Sequence, residues 1–95
     1  MGRETSAEFK KAFEDVKNLA AEPTQNEKLD LYAYAKIAQG EDVEAKRKSL
    51  GMFDIKGKTM TNHWQKKLDE GVTPEQADKA YIELVAQLQK TYGTK

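Results

Sequence analysis

Apolar residues recur every three or four positions along most of this chain, in blocks that each open on a cap. Thr5-Ser6-Ala7-Glu8 reads as a capping box, in which the threonine oxygen accepts from the Glu8 amide and the glutamate reaches back. Phe9, Ala12, Phe13, Val16 and Leu19 then follow at helical spacing. Pro23 interrupts, and Thr24-Gln25-Asn26-Glu27 supplies a second capping box. The helix behind it carries Leu29, Tyr32, Ala33, Lys36 and Ile37 and should stop at Gly40, a natural left-handed terminator. From Glu41 to Asp54 no apolar period is sustained, which predicts a long ordered loop with room for a short turn of helix. Such a length in a small domain is usually functional or mobile. A third, shorter helix is predicted from about Lys58 to Asp69, bearing Trp64 and Leu68 and ending at Gly71. Thr73-Pro74-Glu75-Gln76 starts the fourth with a cap, a proline in the first turn and a glutamine three residues on. Its stripe is Ala77, Ala80, Tyr81, Leu84, Val85, Leu88 and Tyr92, closed by Gly93. The pattern predicts one all-α domain over residues 5–93, four helices with a long loop between the second and third.

Composition narrows the chemistry. A chain of 95 residues supports a single modest core. Without cysteine there are no disulfides and no thiolate metal sites, and a reducing, cytoplasmic setting fits. No apolar run approaches the roughly twenty residues that span a bilayer. The N-terminus lacks the apolar stretch of a signal peptide. Gly2 followed by Ser6 matches the loose myristoylation pattern, although charged Arg3 and Glu4 argue for a plain solvated lead-in. Net charge is zero, which argues against a general polyanion binder such as a nucleic-acid-binding protein. The distribution is uneven. From Lys46 to Lys67 the cations Lys46, Arg47, Lys48, Lys56, Lys58, Lys66 and Lys67 face only Asp54, so the remainder is acidic. A local basic patch suits one small anionic ligand, or simply keeps the surface solvated.

An enzyme reading finds few reactive groups. His63 is the sole histidine, so neither a histidine pair nor an HExxH zinc site exists. Ser6 and Ser49 have no histidine near them in sequence, and no phosphate-cradling glycine loop is present. Acid pairs such as Glu14-Asp15 and Glu41-Asp42 are better read as wet surface than as metal ligands. No catalytic residue, metal or cofactor is expected.

Binding chemistry is better represented. Tyr32 and Lys36, at i and i+4, share one side of a helix. A phosphate between a phenol and an ammonium gains charge-assisted hydrogen bonds; a core tyrosine beside an exposed lysine is the competing reading. Lys56-Gly57-Lys58 sets two ammonium groups at a helix start, with a glycine between them that lets backbone approach a ligand. Tyr81 and Trp64, taken alone, read as core.

Taken in order, these features resemble the acyl-CoA-binding protein family from about Ser6 to Gly93. The resemblance rests on Ala7-Glu8-Phe9, on Val16, Lys17 and Leu19, and on LYAYAK at 31–36. It continues through GMFDIKGK at 51–58, Trp64, Ala80-Tyr81-Ile82 and Tyr92-Gly93. It implies an up-down-down-up bundle of four helices that binds one long-chain fatty acyl-CoA, forming an intracellular carrier pool without catalysing a reaction. By the same resemblance, Tyr32 and Lys36 meet the nucleotide 3′-phosphate, Lys17 and Lys56 lie by the head group, and Tyr81 packs near the adenine. Ala33, Tyr34, Ala35 and Lys58 complete the implied head-group set, while Phe9, Phe13, Met52 and Ile55 are the candidates for the acyl-chain groove. A monomer with transient contacts to membranes or acyl-CoA-using enzymes is implied as well.

The chain also departs from that pattern. Met60 and Thr61 stand where the family carries a lysine and a tryptophan, and Ala35 replaces a common aromatic. The loop before Gly51 is longer, includes Lys46-Arg47-Lys48 and lacks the usual proline. Head-group binding is therefore expected to be weaker or rearranged, with those three cations as candidate replacements for the lost charge. The competing class is a helical interaction module that meets a protein or an anionic membrane through its basic loop.

Overall fold

Ser6, not Thr5, caps the first helix. The computed structural model describes residues 4–95 and is all-helical there. Gly2, and with it the start of the acylation pattern, lies outside the described residues. Ser6 is extended, its Oγ accepts from the Phe9 amide at 3.1 Å, and the same hydroxyl donates to Asp78 Oδ1 at 2.6 Å. The Ser6 amide donates to the other oxygen of Asp78 at 2.9 Å. This tertiary anchor moves the cap one residue beyond the position the local motif favours. Helix α1 covers Ala7–Asp15 and continues as a tight 3-10 turn over Val16–Asn18. Leu19, read above as helical, is extended and buried, because the chain end pairs with it. Ala20 donates to the Gly93 carbonyl at 2.9 Å, and Lys95 donates to Asn18 at 2.8 Å.

The caps at Thr24 and Thr73 follow the sequence. Helix α2 (Gln25–Ala38) opens on the Thr24–Glu27 box and ends before Gly40, whose φ of 69° is left-handed. Within the expected loop lies α3, Val43–Ser49, capped by Asp42 and burying only Val43. Helix α4 spans Ile55–Asp69, starting three residues earlier than expected because Asp54 Oδ1 accepts from the Gly57 amide at 2.8 Å. Helix α5, Pro74–Tyr92, opens on the Thr73–Gln76 box and closes at Gly93.

Side-chain pairings fix the directions. The starts of α1 and α5 meet at Ser6–Asp78, so these two helices run together. Tyr92, at the end of α5, donates to Glu27 at the start of α2 at 2.7 Å, so α2 opposes α5. Along α2 and α4, Asp30 meets His63 and Tyr34 meets Lys67, so this pair is parallel. The bundle is up-down-down-up, with α3 as an extra short helix in the crossover. Helix α2 packs on both α4 and α5, and its alanines make that possible: Ala33 and Ala38 expose nothing, nor does Ala77 opposite. Trp64, Phe9 and Val85 share one buried cluster with these small residues.

Candidate functional site

Between α1, α2 and α5 the helices leave a pocket of ≈ 310 Å³, lined by Phe13, Val16, Leu31, Tyr32, Ala35, Lys36, Gln39 and Tyr81. Helical spacing explains the set. Leu31 and Ala35 are one turn apart, as are Tyr32 and Lys36, and Gln39 follows a turn later. Ala35 is only 8% exposed and, being small, leaves volume that a larger side chain would occupy. The walls are chiefly apolar, with the Lys36 ammonium at the edge, 5.7 Å from the centre of the Tyr32 ring. Such a site can shelter a hydrocarbon while holding an anion at its mouth.

The aromatic walls are braced from behind. Tyr81 is buried with its ring centre 4.6 Å from Phe9 and 6.1 Å from Phe13. Burial pushes its hydroxyl up to about 12. Tyr32 sits edge-on to Trp64 at 6.2 Å; burial first, then the Glu41 carboxylate, raises its hydroxyl above the ordinary tyrosine value. Both phenols therefore stay protonated and able to donate at neutral pH. Lys17 reaches the pocket indirectly: its ammonium lies 5.5 Å over the Phe13 ring and pairs with Glu14 at 3.1 Å. That ion pair is exposed and weak, so it leaves Lys17 free to exchange partners.

Of the residues the sequence put forward, Phe13, Tyr32, Ala35, Lys36 and Tyr81 share this pocket. Phe9 and Ala33 do not face it openly: they are 2% and 0% exposed, packed in the core behind the pocket walls. Tyr34 lies in a separate cleft with Asp30, Ala80, Glu83, Leu84 and Gln87, and the Lys67 ammonium stands 5.2 Å over its ring. Successive helical residues are turned by roughly 100°, so a run such as LYAYAK distributes its members around the helix. Lys56, Lys58, Met52 and Ile55 cluster instead around the start of α4, outside the pocket. There Lys58 donates to the Met52 carbonyl at 2.8 Å.

Val16, Leu31 and Gln39 are pocket residues that the sequence reading did not single out. Leu31 and Gln39 were legible in principle, being a turn from Ala35 and Lys36 on the same face. Val16 was read as stripe, but it reaches the pocket from the 3-10 turn. The substituted Thr61 is 1% exposed, and its hydroxyl donates to the Gly57 carbonyl at 2.7 Å, so it serves the helix. The three cations Lys46, Arg47 and Lys48 occupy the last turn of α3, where Arg47 is held by Glu44 at 2.7 Å. None of them lines the pocket. Among the described residues, no group of three or more acids and histidines is placed to hold a metal ion.

A helical bundle with an apolar pocket and a cation at its mouth is the architecture of a carrier for amphipathic anions. Comparison with known sequences makes the class specific: the family model described as "Acyl CoA binding protein" matches residues 6–85. The chain is 37% identical over 86 residues to an "Acyl-CoA-binding protein homolog" of Manduca sexta, covering 90% of this chain and 92% of that protein. It is 39% identical over 85 residues to "Acyl-CoA-binding protein homolog 1" of Caenorhabditis elegans, covering 90% and 94% respectively. This chain belongs to the acyl-CoA-binding protein family.

Proposed function

We propose that this protein binds long-chain fatty acyl-CoA esters one to one and serves as their carrier and pool in the cytoplasm, as a monomer and without catalysing a reaction. The observation that carries the reading is the pairing of an apolar pocket with the Tyr32–Lys36 edge, in a chain of this family. The ligand has two unlike ends, and so does the site. Each CH₂ of the tail withdrawn from water contributes about 0.8 kcal/mol. Phe13, Val16, Leu31 and Tyr81 offer it apolar surface. The phosphorylated head group gains charge-assisted hydrogen bonds from Lys36 and the Tyr32 hydroxyl, with Lys17 as a further cation beside Phe13. Free CoA forfeits the first contribution and a free fatty acid the second. An intact thioester is therefore preferred to either product of its hydrolysis.

Calorimetric titration with palmitoyl-CoA tests this. One site per chain is expected, together with at least about tenfold weaker binding for Lys36→Ala, since a hydrogen bond to a charged group is worth about 1.5–3 kcal/mol. Absence of heat, together with an NMR spectrum unchanged by excess palmitoyl-CoA, would overturn the proposal.

A further inference from the structure

Val16 is a wall of two cavities. On one side lies the pocket described above; on the other is a cleft of ≈ 390 Å³ beside the connection from α1 to α2, with Lys17, Glu22 and Lys95 as its charged walls. The carrier reading uses the first cavity and leaves the second unexplained. Residues 93–95 help to build it. Gly93, at a φ of 76°, takes the chain out of α5 and back against residues 18–20. Ala20 donates to the Gly93 carbonyl at 2.9 Å, Leu19 bridges Thr94 in antiparallel fashion, and Lys95 donates to Asn18 at 2.8 Å. The backbone of Lys95 is thereby fixed one residue along from Lys17.

The cleft is cationic. Glu22 is the one acidic side chain among its lining residues, and Lys28 engages it at 3.2 Å. Two ammonium groups thus stand against one carboxylate that is already paired, and Lys17 is held only by its exposed contact with Glu14. A CoA head group carries two separate phosphate groups, a diphosphate and a 3′-phosphate, and the Tyr32–Lys36 edge accounts for one of them. Building on the carrier reading, we infer that Lys95 is a further head-group residue, and that its cleft holds the phosphate group that Lys36 does not. Lys17 joins the two cavities, since its ammonium lies 5.5 Å over the Phe13 ring of the pocket while the residue also lines the cleft. A ligand seated in the pocket reaches the cleft across Val16. Once the first phosphate group is held, the second meets Lys95 at a high effective concentration, so a single exposed lysine has a measurable effect. Two points of attachment also fix the orientation of the head group.

Calorimetric titration of the full chain with palmitoyl-CoA at about 0.15 M salt tests this. Lys95→Glu, with an unchanged thermal melt, should bind about tenfold more weakly. Lys95→Gln, which keeps the backbone pairing and adds no charge, should bind about threefold more weakly. Lys79→Glu makes the same charge change about 20 Å back along α5 from Tyr92, beyond the Debye length, and should weaken binding less than about twofold. The palmitoyl ester of 3′-dephospho-CoA separates the two phosphate groups. With it, the penalty of either Lys36→Ala or Lys95→Glu should vanish while the other persists. Lys95 variants that bind palmitoyl-CoA as tightly as wild type overturn the inference and leave the carrier reading standing. An equal loss in Lys79→Glu does the same, because it would mean a general field and no subsite. A dephospho ester that abolishes both penalties, or neither, also overturns it, since the two lysines would then not hold different groups. If palmitoyl-CoA does not bind the wild type at all, the carrier reading falls and this inference with it.

Discussion

Trp64 combines two opposing contributions in one side chain. It is 1% exposed at the centre of the bundle, yet its indole Nε1 has no hydrogen-bond partner. The ring's packing stabilises the fold strongly, while the orphaned N–H withdraws part of that gain. Trp64→Ala should lower unfolding stability by about 3–5 kcal/mol. Trp64→Phe deletes the orphan with only part of the ring and should cost clearly less, read as the shift in urea midpoint. A phenylalanine variant as unstable as the alanine one would show that the indole nitrogen contributes nothing unfavourable. At this scale the sequence was partly legible. The i, i+4 spacing placed Tyr32 and Lys36 together, whereas Tyr81, read from its stripe as core, joined the site only through the family resemblance. Which of two stripe phenylalanines is bare was not legible. Both belong to the same helical stripe and both meet the Tyr81 ring, at 4.6 Å and 6.1 Å, yet Phe9 is buried and Phe13 is 37% exposed at the pocket.

The elements show how far caps can be trusted. The boxes at Thr24–Glu27 and Thr73–Gln76 formed as their motifs dictate, because nothing distant competes for those hydroxyls. The Thr5 box did not, since Asp78, 72 residues away in sequence, claims Ser6. Helix α3 escaped the pattern because it buries one side, Val43, and carries no apolar period to detect. Gly57 is the sharpest case. Its place between two lysines suggested an opening for a ligand, but a Cβ there would lie 2.7 Å from both Asp54 Oδ2 and Leu50 Cδ2. The space above this glycine is filled by the cap of its own helix. In an ordinary helix, Gly→Ala gains roughly 1 kcal/mol. Gly57→Ala should instead lower the melting temperature, because it displaces the carboxylate that caps α4. A raised melting temperature would mean that Asp54 and Leu50 move aside freely.

For the molecule as a whole, alkaline pH is the informative stress. Unfolded tyrosines ionise near 10, whereas Tyr32 and Tyr92 are raised and Tyr81 is pushed up to about 12. Burial raises Tyr81 and chiefly Tyr32, while Tyr92 is held protonated mainly by its hydrogen bond to Glu27. Below pH 10 both states keep these protons, so ionisation costs nothing. Above it the unfolded chain releases them first, and stability falls as pH rises toward 12. Tyr81 alone accounts for about 2–3 kcal/mol of that loss. Tyr81→Phe should flatten the slope of unfolding free energy between pH 10 and 12. An unaltered slope would place the Tyr81 hydroxyl in water. The four long helices were legible from caps and stripes, and the family from the motifs strung along them. What the chain end does was not: the pairing of 18–20 with 93–95 depends on where two distant segments meet, and no local pattern encodes it.

The single indole has one more consequence. Sealed in the core and edge-on to Tyr32, it looks onto the pocket through one aromatic ring. Its fluorescence should be blue-shifted in the native protein and should change intensity as cargo settles against Tyr32. Loading and unloading can then be followed in real time with no dye attached.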